Sequence, residues 1–318
     1  MTNYAPPEVA LDPQIDPIIR EVSVAPDGLS ARFLGADLEG TTHGGLAMQI
    51  AGLIYRRFHA GMVPDTDEPS NILLREDVDL EGRILAATAR TERFESLRVI
   101  ENLPQFGGAI LVLQGIRVFV PNDRIVSRTG TLARTQLNST ATRLSLGFLF
   151  YTSRMGGGHS HRPLRLYRKC VHSDEAVAVW SRLTEWAEEH AIRVRAKVLS
   201  RSSDFPRNDA LVVYLPSESW HHHRTIAALM ENDDPWAATS PLTRRVASGV
   251  SLAWEPDDPS PQSRGMSFGE HRSQLIATGI VAGAGDLNRA RSAVRLGLLV
   301  ANVDPLDVSQ NLDSPVLT

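Results

Sequence analysis

Residues 193–214 read RVRAKVLSRSSDFPRNDALVVY, and the fold turns on how this stretch is read. Val194, Ala196 and Val198 alternate in a strand-like run that carries one lysine, Lys197. Alternation puts Lys197 on the opposite face of the sheet from Ala196 and Val198. A polar loop with Pro206 follows, then Arg207 and Asp209, then a second strand from Leu211 to Leu215. A lysine so placed either snorkels to water or faces a site that needs a base or an anion clamp.

Working outward, Leu144–Thr152 and Leu164–Val171 read as strands flanking the loop Gly156-Gly157-Gly158-His159-Ser160-His161. Ser173 caps a helix over Asp174–His190, with Asp174 and Glu175 in the first turn where the dipole favours them. Its buried stripe is Val177, Trp180, Leu183, Thr184 and Ala187. Ser219 opens a helix to Met230, Val250–Trp254 is a short strand, and Ser267-Phe268-Gly269-Glu270-His271-Arg272 leads into a helix reaching about Val281. Nearer the N-terminus, Leu46, Ile50, Leu53, Ile54 and Phe58 recur at helical spacing in a helix ended by Gly61. Pro64–Ser70 reads as a loop, Ile84–Glu101 is ambiguous, and Ala109–Val120 is strand-like with no helix period.

Strands and helices interleave without the regular parallel βαβ rhythm. This predicts an α+β fold with a mixed or antiparallel sheet core and packed helices, preceded by a more helical N-terminal region. The expected organisation is a flexible arm (1–16), an N-terminal helical or mixed region (17–143), a C-terminal enzyme-like domain (144–303) and a loose tail (304–318).

Composition narrows the function. Hydrophobic residues make up 42% and charged residues 22% of the 318 positions, ordinary for a soluble globular protein. A net charge of −4 argues against a nucleic-acid binder that works by neutralising phosphates. The single cysteine, Cys170, excludes an intrachain disulfide and a multi-cysteine zinc site, and its strand context favours a buried inert thiol. No signal-like N-terminus and no apolar run of about 18 residues occurs, so a cytoplasmic protein without membrane contact is expected. No metal is expected either: His221, His222 and His223 point about 100° apart on a helix, and His159 with His161 lacks a third ligand. HExxH, GxGxxG after a strand, the P-loop and GxSxG are all absent.

The positive signal is a set of cations at strand edges and a helix start: Arg165, Lys197, Arg207, His271 and Arg272. Ser267-Phe268-Gly269 ahead of a helix offers backbone N–H groups to an anion. Several cations and a helix N-terminus suit a phosphate. A lysine with a histidine suits elimination, one removing a proton and the other protonating the leaving group.

The segments LRLY (164–167), AKVLSRSSDFPRNDALVVYLP (196–216), SPLTRRVASGVSLA (240–253) and SFGEHR (267–272) resemble the C-terminal domain of the HopA-type type III effector family. The resemblance covers roughly residues 145–285, and the first 140 residues match loosely, mainly in LIYRRFHAG (53–61). Stand-alone members accompany small kinase-like proteins in gene clusters for ribosomally made peptides, including class V lanthipeptides and relatives of thioviridamide. The resemblance therefore implies a lyase that eliminates phosphate from phosphorylated Ser or Thr of a precursor peptide with a leader, leaving dehydroalanine or dehydrobutyrine. It further implies a kinase-like partner in a heterodimer and no metal or organic cofactor.

Carried over, Lys197 is the base and His271 the acid, with His159 and His161 as rival acids. Arg165, Arg207 and Arg272 hold the phosphate beside Ser267, Asp209 orients Arg207 or Lys197, and Tyr214 assists by hydrogen bonding. The rival readings are a non-catalytic scaffold that binds a phosphopeptide or partner, and a lanthionine cyclase.

Overall fold

The structure, a computed structural model, describes residues 10–62, 76–113, 115–158 and 162–317. The first part of the expected arm, the whole Pro64–Ser70 loop and the segment with His159 and His161 lie outside the described residues.

The chain opens with α1 (Asp16–Glu21), the meander β1 (Ser23–Val24), β2 (Ser30–Phe33) and β3 (Ala36–Glu39), then α2 (His43–Ile54) and α3 (Val78–Ala86). A five-stranded sheet follows, built from β4 (Glu92–Leu103), β5 (Gly108–Leu113), β6 (Ile116–Pro121), β7 (Ile125–Thr129) and β8 (Leu132–Asn138) in the order β6-β5-β4-β8-β7. The central sheet has seven strands: β9 (Thr140–Ser145), β10 (Phe148–Thr152), β11 (Leu164–Cys170), β12 (Arg195–Leu199), β13 (Arg207–Leu215), β14 (Arg244–Ala247) and β15 (Val250–Trp254). Their order is β14-β15-β11-β13-β12-β10-β9, every pair antiparallel. Four helices complete the chain: α4 (Ser173–Glu189), α5 (His223–Leu229), α6 (Phe268–Ala282) and α7 (Leu287–Val300).

Alternation along the central strands separates two faces. Leu166, Ala196, Val198, Leu211, Val213 and Leu252 pack against Trp180, Leu183 and Ala187 of α4 and Ile226 of α5. Tyr167, Val212 and Ala253 point the other way, into a layer built from Ile50 and Ile54 of α2 and Phe268, Ile276 and Ala277 of α6. The sheet is thus covered on both faces, and residues from near the N-terminus complete the second layer. The α+β class with an antiparallel core is as the sequence predicts. The ambiguous stretch at 84–101 is shared, with α3 ending at Ala86 and β4 starting at Glu92.

Two expectations are corrected. Asp12 and Ile15 are buried, so the end of the expected arm belongs to the core. The tail is not loose: Val308 is fully buried, its N–H donates to Asp12 Oδ2 (3.0 Å), and the Trp254 N–H donates to the Ser309 carbonyl (2.8 Å). The tail aspartates that suggest a solvated segment instead close turns, Asp304 accepting from the Leu306 N–H and Asp307 from the Ser309 N–H.

Helices α6 and α7 meet backbone to backbone. A Cβ on Gly279 would lie 2.5 Å from the Val294 backbone, and one on Gly283 would lie 2.1 Å from the Ala290 nitrogen. Gly297 on α7 has nothing within 4 Å of its would-be Cβ. Gly283→Ala is predicted to destabilise the protein by about 2–3 kcal/mol, because backbone cannot move aside as a side chain can. Gly297→Ala should instead stabilise it by about 0.5–1 kcal/mol through helix propensity. Urea unfolding of both variants checks the contrast.

Candidate functional site

Toward one end of its second face the central sheet emerges from under α6. There it floors a cavity of about 550 Å³ with Phe148, Arg165, Lys197 and Tyr214, walled by Tyr55 and by the segment from Glu255 to Glu270. Lys197 stands opposite Phe150 on β10 and Val212 on β13, and its Nζ lies 4.0 Å from the centre of the Phe148 ring. Burial pushes the Lys197 pKa down to about 8; Asp209 opposes this, and the guanidinium groups of Arg165 and Arg207 add to it. Among the described residues Lys197 has no ion-pair partner. The chain holds 31 arginines and only two lysines, Lys169 and Lys197. A lysine can lose its proton near neutral pH, and an arginine cannot.

The two arginines whose charge helps lower the Lys197 pKa are already engaged. Arg165 makes a two-pronged pair with Glu255, with Nη2 2.5 Å from Oε1, and its guanidinium sits 5.1 Å from the centre of the Tyr214 ring. Arg207 makes the same kind of pair with Asp209, both bonds 2.7 Å, and donates to Tyr55 Oη at 3.3 Å. Burial alone would raise the Asp209 carboxyl, but Arg207 outweighs it and holds the group below the ordinary carboxylate range. Burial pushes the Tyr55 phenol up to about 12.

Tyr55 stands on a π-helical turn, Tyr55–His59, that continues α2. The same turn delivers His59, whose ring is buried and kept neutral, its pKa pushed by burial down to about 4. His59 Nδ1 lies 3.2 Å from Ser240 Oγ, and the ring lies against Gly269, where a Cβ would come within 2.1 Å of it. His59 therefore seats the N-terminus of α6, and only glycine fits beneath it.

The residues at the start of α6 divide. Ser267 lines the cavity and forms a capping box with Glu270, which already takes one of the helix's free N–H groups. His271 and Arg272 lie beneath the cavity wall, 1% and 0% exposed, and are not among its lining. Arg272 Nη1 donates to His271 Nδ1 (2.6 Å), so Nε2 carries the imidazole hydrogen and donates to Asp258 Oδ2 (2.9 Å). Both nitrogens of His271 are committed, and none is left for a substrate. Arg272 also donates to the Val308 carbonyl (2.7 Å) and Asn311 Oδ1 (3.0 Å), fastening the tail.

Asp258 in turn accepts from Ser263 Oγ (2.5 Å) and the Ser260 N–H (2.8 Å). His271 thus positions the loop that brings Arg264 to the rim of the cavity. Arg264 has no ion pair among the described residues.

Of the residues singled out from sequence, the fold brings Lys197, Tyr214, Arg165 and Ser267 to one cavity, with Arg207 and Asp209 directly behind. His271 and Arg272 sit outside it. The rival acids His159 and His161 lie outside the described residues. Tyr55, Glu255, Asp258 and Arg264 carry no motif that marks them, although Tyr55 and His59 fall within LIYRRFHAG. Cys170 is buried, its thiol pushed up to about 12 by burial. Among the described residues no group of His, Cys, Asp and Glu could hold a metal ion, and no helix is long and apolar enough to cross a membrane.

Residues 139–309 match the HopA1 effector protein family, which is more than half of the chain. The chain belongs to that family. Its structure is similar to that of the effector protein from Pseudomonas syringae pv. tomato strain DC3000, with a TM-score of 0.48, 13% identity, and 83% of this chain and 90% of that one covered. It is also similar to the effector protein from Pseudomonas syringae pv. syringae strain 61, with a TM-score of 0.45, 12% identity, and coverage of 83% and 95%. No curated protein matches the sequence.

Asp209→Asn leaves the Arg207 guanidinium buried without its carboxylate. It is predicted to cost about 3–5 kcal/mol, while the double change Arg207→Met with Asp209→Leu recovers most of the loss. Urea unfolding of the single and double variants measures the difference.

Proposed function

We propose that this chain is a lyase that removes phosphate from phosphorylated Ser or Thr of a ribosomally made precursor peptide, acting with a kinase-like partner. The observation that carries the reading is Lys197, one of two lysines in the chain. It lines a cavity, has no ion-pair partner among the described residues, and has a pKa lowered by burial and by two fixed guanidinium groups to about 8. A substantial fraction of such an amine is neutral at physiological pH and able to accept a proton.

The neutral amine of Lys197 takes the Cα proton of the phosphorylated residue. The electron pair left on Cα forms the Cα=Cβ bond, the Cβ–O bond breaks, and its pair departs on the phosphate oxygen. The step is redox-neutral, so base and leaving group balance it. Burial is the main cause of the lowered Lys197 pKa; Asp209 opposes it, and Arg165 and Arg207, held by Glu255 and Asp209, add to it. Arg264, on the rim without an ion pair among the described residues, is the cation free to meet the phosphate. Tyr55 and Tyr214 stay protonated, because burial raises both phenols, and can donate hydrogen bonds to the leaving group. His271 acts through Asp258 on the loop rather than on the substrate.

A second reading keeps the cavity and drops the chemistry. Arg165 and Arg207 are each saturated by a carboxylate, which favours a scaffold that binds a partner without turning it over. Mass spectrometry of a phosphoserine peptide, with the kinase-like partner present, separates the two. The lyase releases phosphate and leaves dehydroalanine. Lys197→Ala and Lys197→Met lower the rate by about 10²–10⁴-fold with the fold intact. Because the base must be neutral, the rate should rise with pH through about 8. Phosphopeptide left intact by the wild type removes the lyase reading, and binding of that peptide equally by wild type and Lys197→Met supports the scaffold.

A further inference from the structure

The Lys197 cavity continues past Tyr214. Arg165, Tyr214 and Glu255 also line a second cavity of about 480 Å³, completed by Phe150, Arg195 and the Gly157-Gly158 backbone. Phe150 and Arg195 in turn border a third space of about 810 Å³, which reaches the sheet-edge strands β6 and β9 past Phe119 and Leu144. Consecutive cavities share residues, so the three form one groove. Each alone lies within the roughly 300–1,000 Å³ of a small-ligand pocket, so the whole suits an elongated ligand.

Arg195 is the cation at the middle of this groove. It stands beside Tyr214 on the neighbouring strand, as Arg165 does from the other side. Arg165 and Arg207 are each locked in a two-pronged carboxylate pair. Arg195 makes no ion pair and no side-chain hydrogen bond among the described residues. Its stem is half-buried under Gly157, where a Cβ would come 2.4 Å from Arg195 Cδ. The loop thus presses on the stem and leaves the guanidinium, with its planar fork of donors, facing the groove.

Arg195 and Lys197 lie two residues apart on β12 and on the same face, so their Cα atoms are about 7 Å apart at the rise of a strand. An extended peptide lying alongside β12 presents its own side chains at that same interval.

We propose that the groove binds an extended peptide whose acidic side chain, Asp or Glu, pairs with Arg195 two positions from the residue held at Lys197. Arg195 is then a specificity-determining residue. The proposal rests on the reading of the Lys197 cavity as a peptide site, and it is independent of turnover.

The test is fluorescence anisotropy of the full chain with labelled peptides that carry a phosphonate analogue of phosphoserine, in which CH2 replaces the bridging oxygen so that elimination cannot occur. One peptide has Glu two positions before the phosphonate, one has Glu two positions after, and one has Lys at both. One Glu peptide is expected to bind about tenfold tighter than the Lys peptide. Arg195→Gln should abolish that preference, and Arg195→Glu should invert it. If Arg195→Glu does not fold, the Gln variant carries the test.

Equal binding of all three peptides, binding of none, or a preference that survives in Arg195→Gln overturns the proposal. A peptide preference in a protein that fails to release phosphate would defeat the lyase reading and leave this one standing.

Discussion

Charge buried on a covered sheet has to be matched, and that requirement organises the molecule around its central sheet. The seven strands have helices on both faces, yet they bring Arg165, Arg168 and Asp209 into the interior, with Arg207 half-buried beside them. Arg165 takes Glu255, Arg207 takes Asp209, and Arg168 takes Glu175 from α4. Arg272, on α6, has no ion-pair partner among the described residues and uses backbone carbonyls and Asn311 instead, which draws the C-terminal tail onto the core. Unmatched, any of these groups would cost several kcal/mol. Lys197 is the exception. Among the described residues it has no ion pair and no hydrogen bond, and burial lowers its pKa.

The pairs do more than neutralise. Arg207 joins β13 to Tyr55 on the π-helical turn after α2, and His59 from that turn holds the start of α6. Asp258, set by His271 and Arg272, shapes the loop that carries Arg264. Rigid ion pairs thus fix the walls of a cavity that holds an amine with a lowered pKa. Such an arrangement keeps a base in place without neutralising it.

The face of Lys197 was legible in the sequence, because Val194, Ala196 and Val198 leave alternation no other choice. The α6 start was legible too, since Ser267 and Glu270 stand at capping-box spacing. The partners of the cations were not: Glu255 is 90 residues from Arg165, and Tyr55 is 152 residues from Arg207. Nothing local announces such pairs. His271 and Arg272 misled for another reason. A motif names residues but not the helical phase that turns them inward, and here that phase spends both imidazole nitrogens on neighbours. The tail misled by composition, because its aspartates look solvated while they close turns.

Lys197 is an amine ready to lose its proton near neutral pH. With two lysines in the chain, NMR of protein labelled with ¹³C-lysine gives side-chain signals that Lys197→Arg assigns directly. The expected titration midpoint for Lys197 is about 8. A midpoint near the ordinary lysine value of about 10.4 would contradict it.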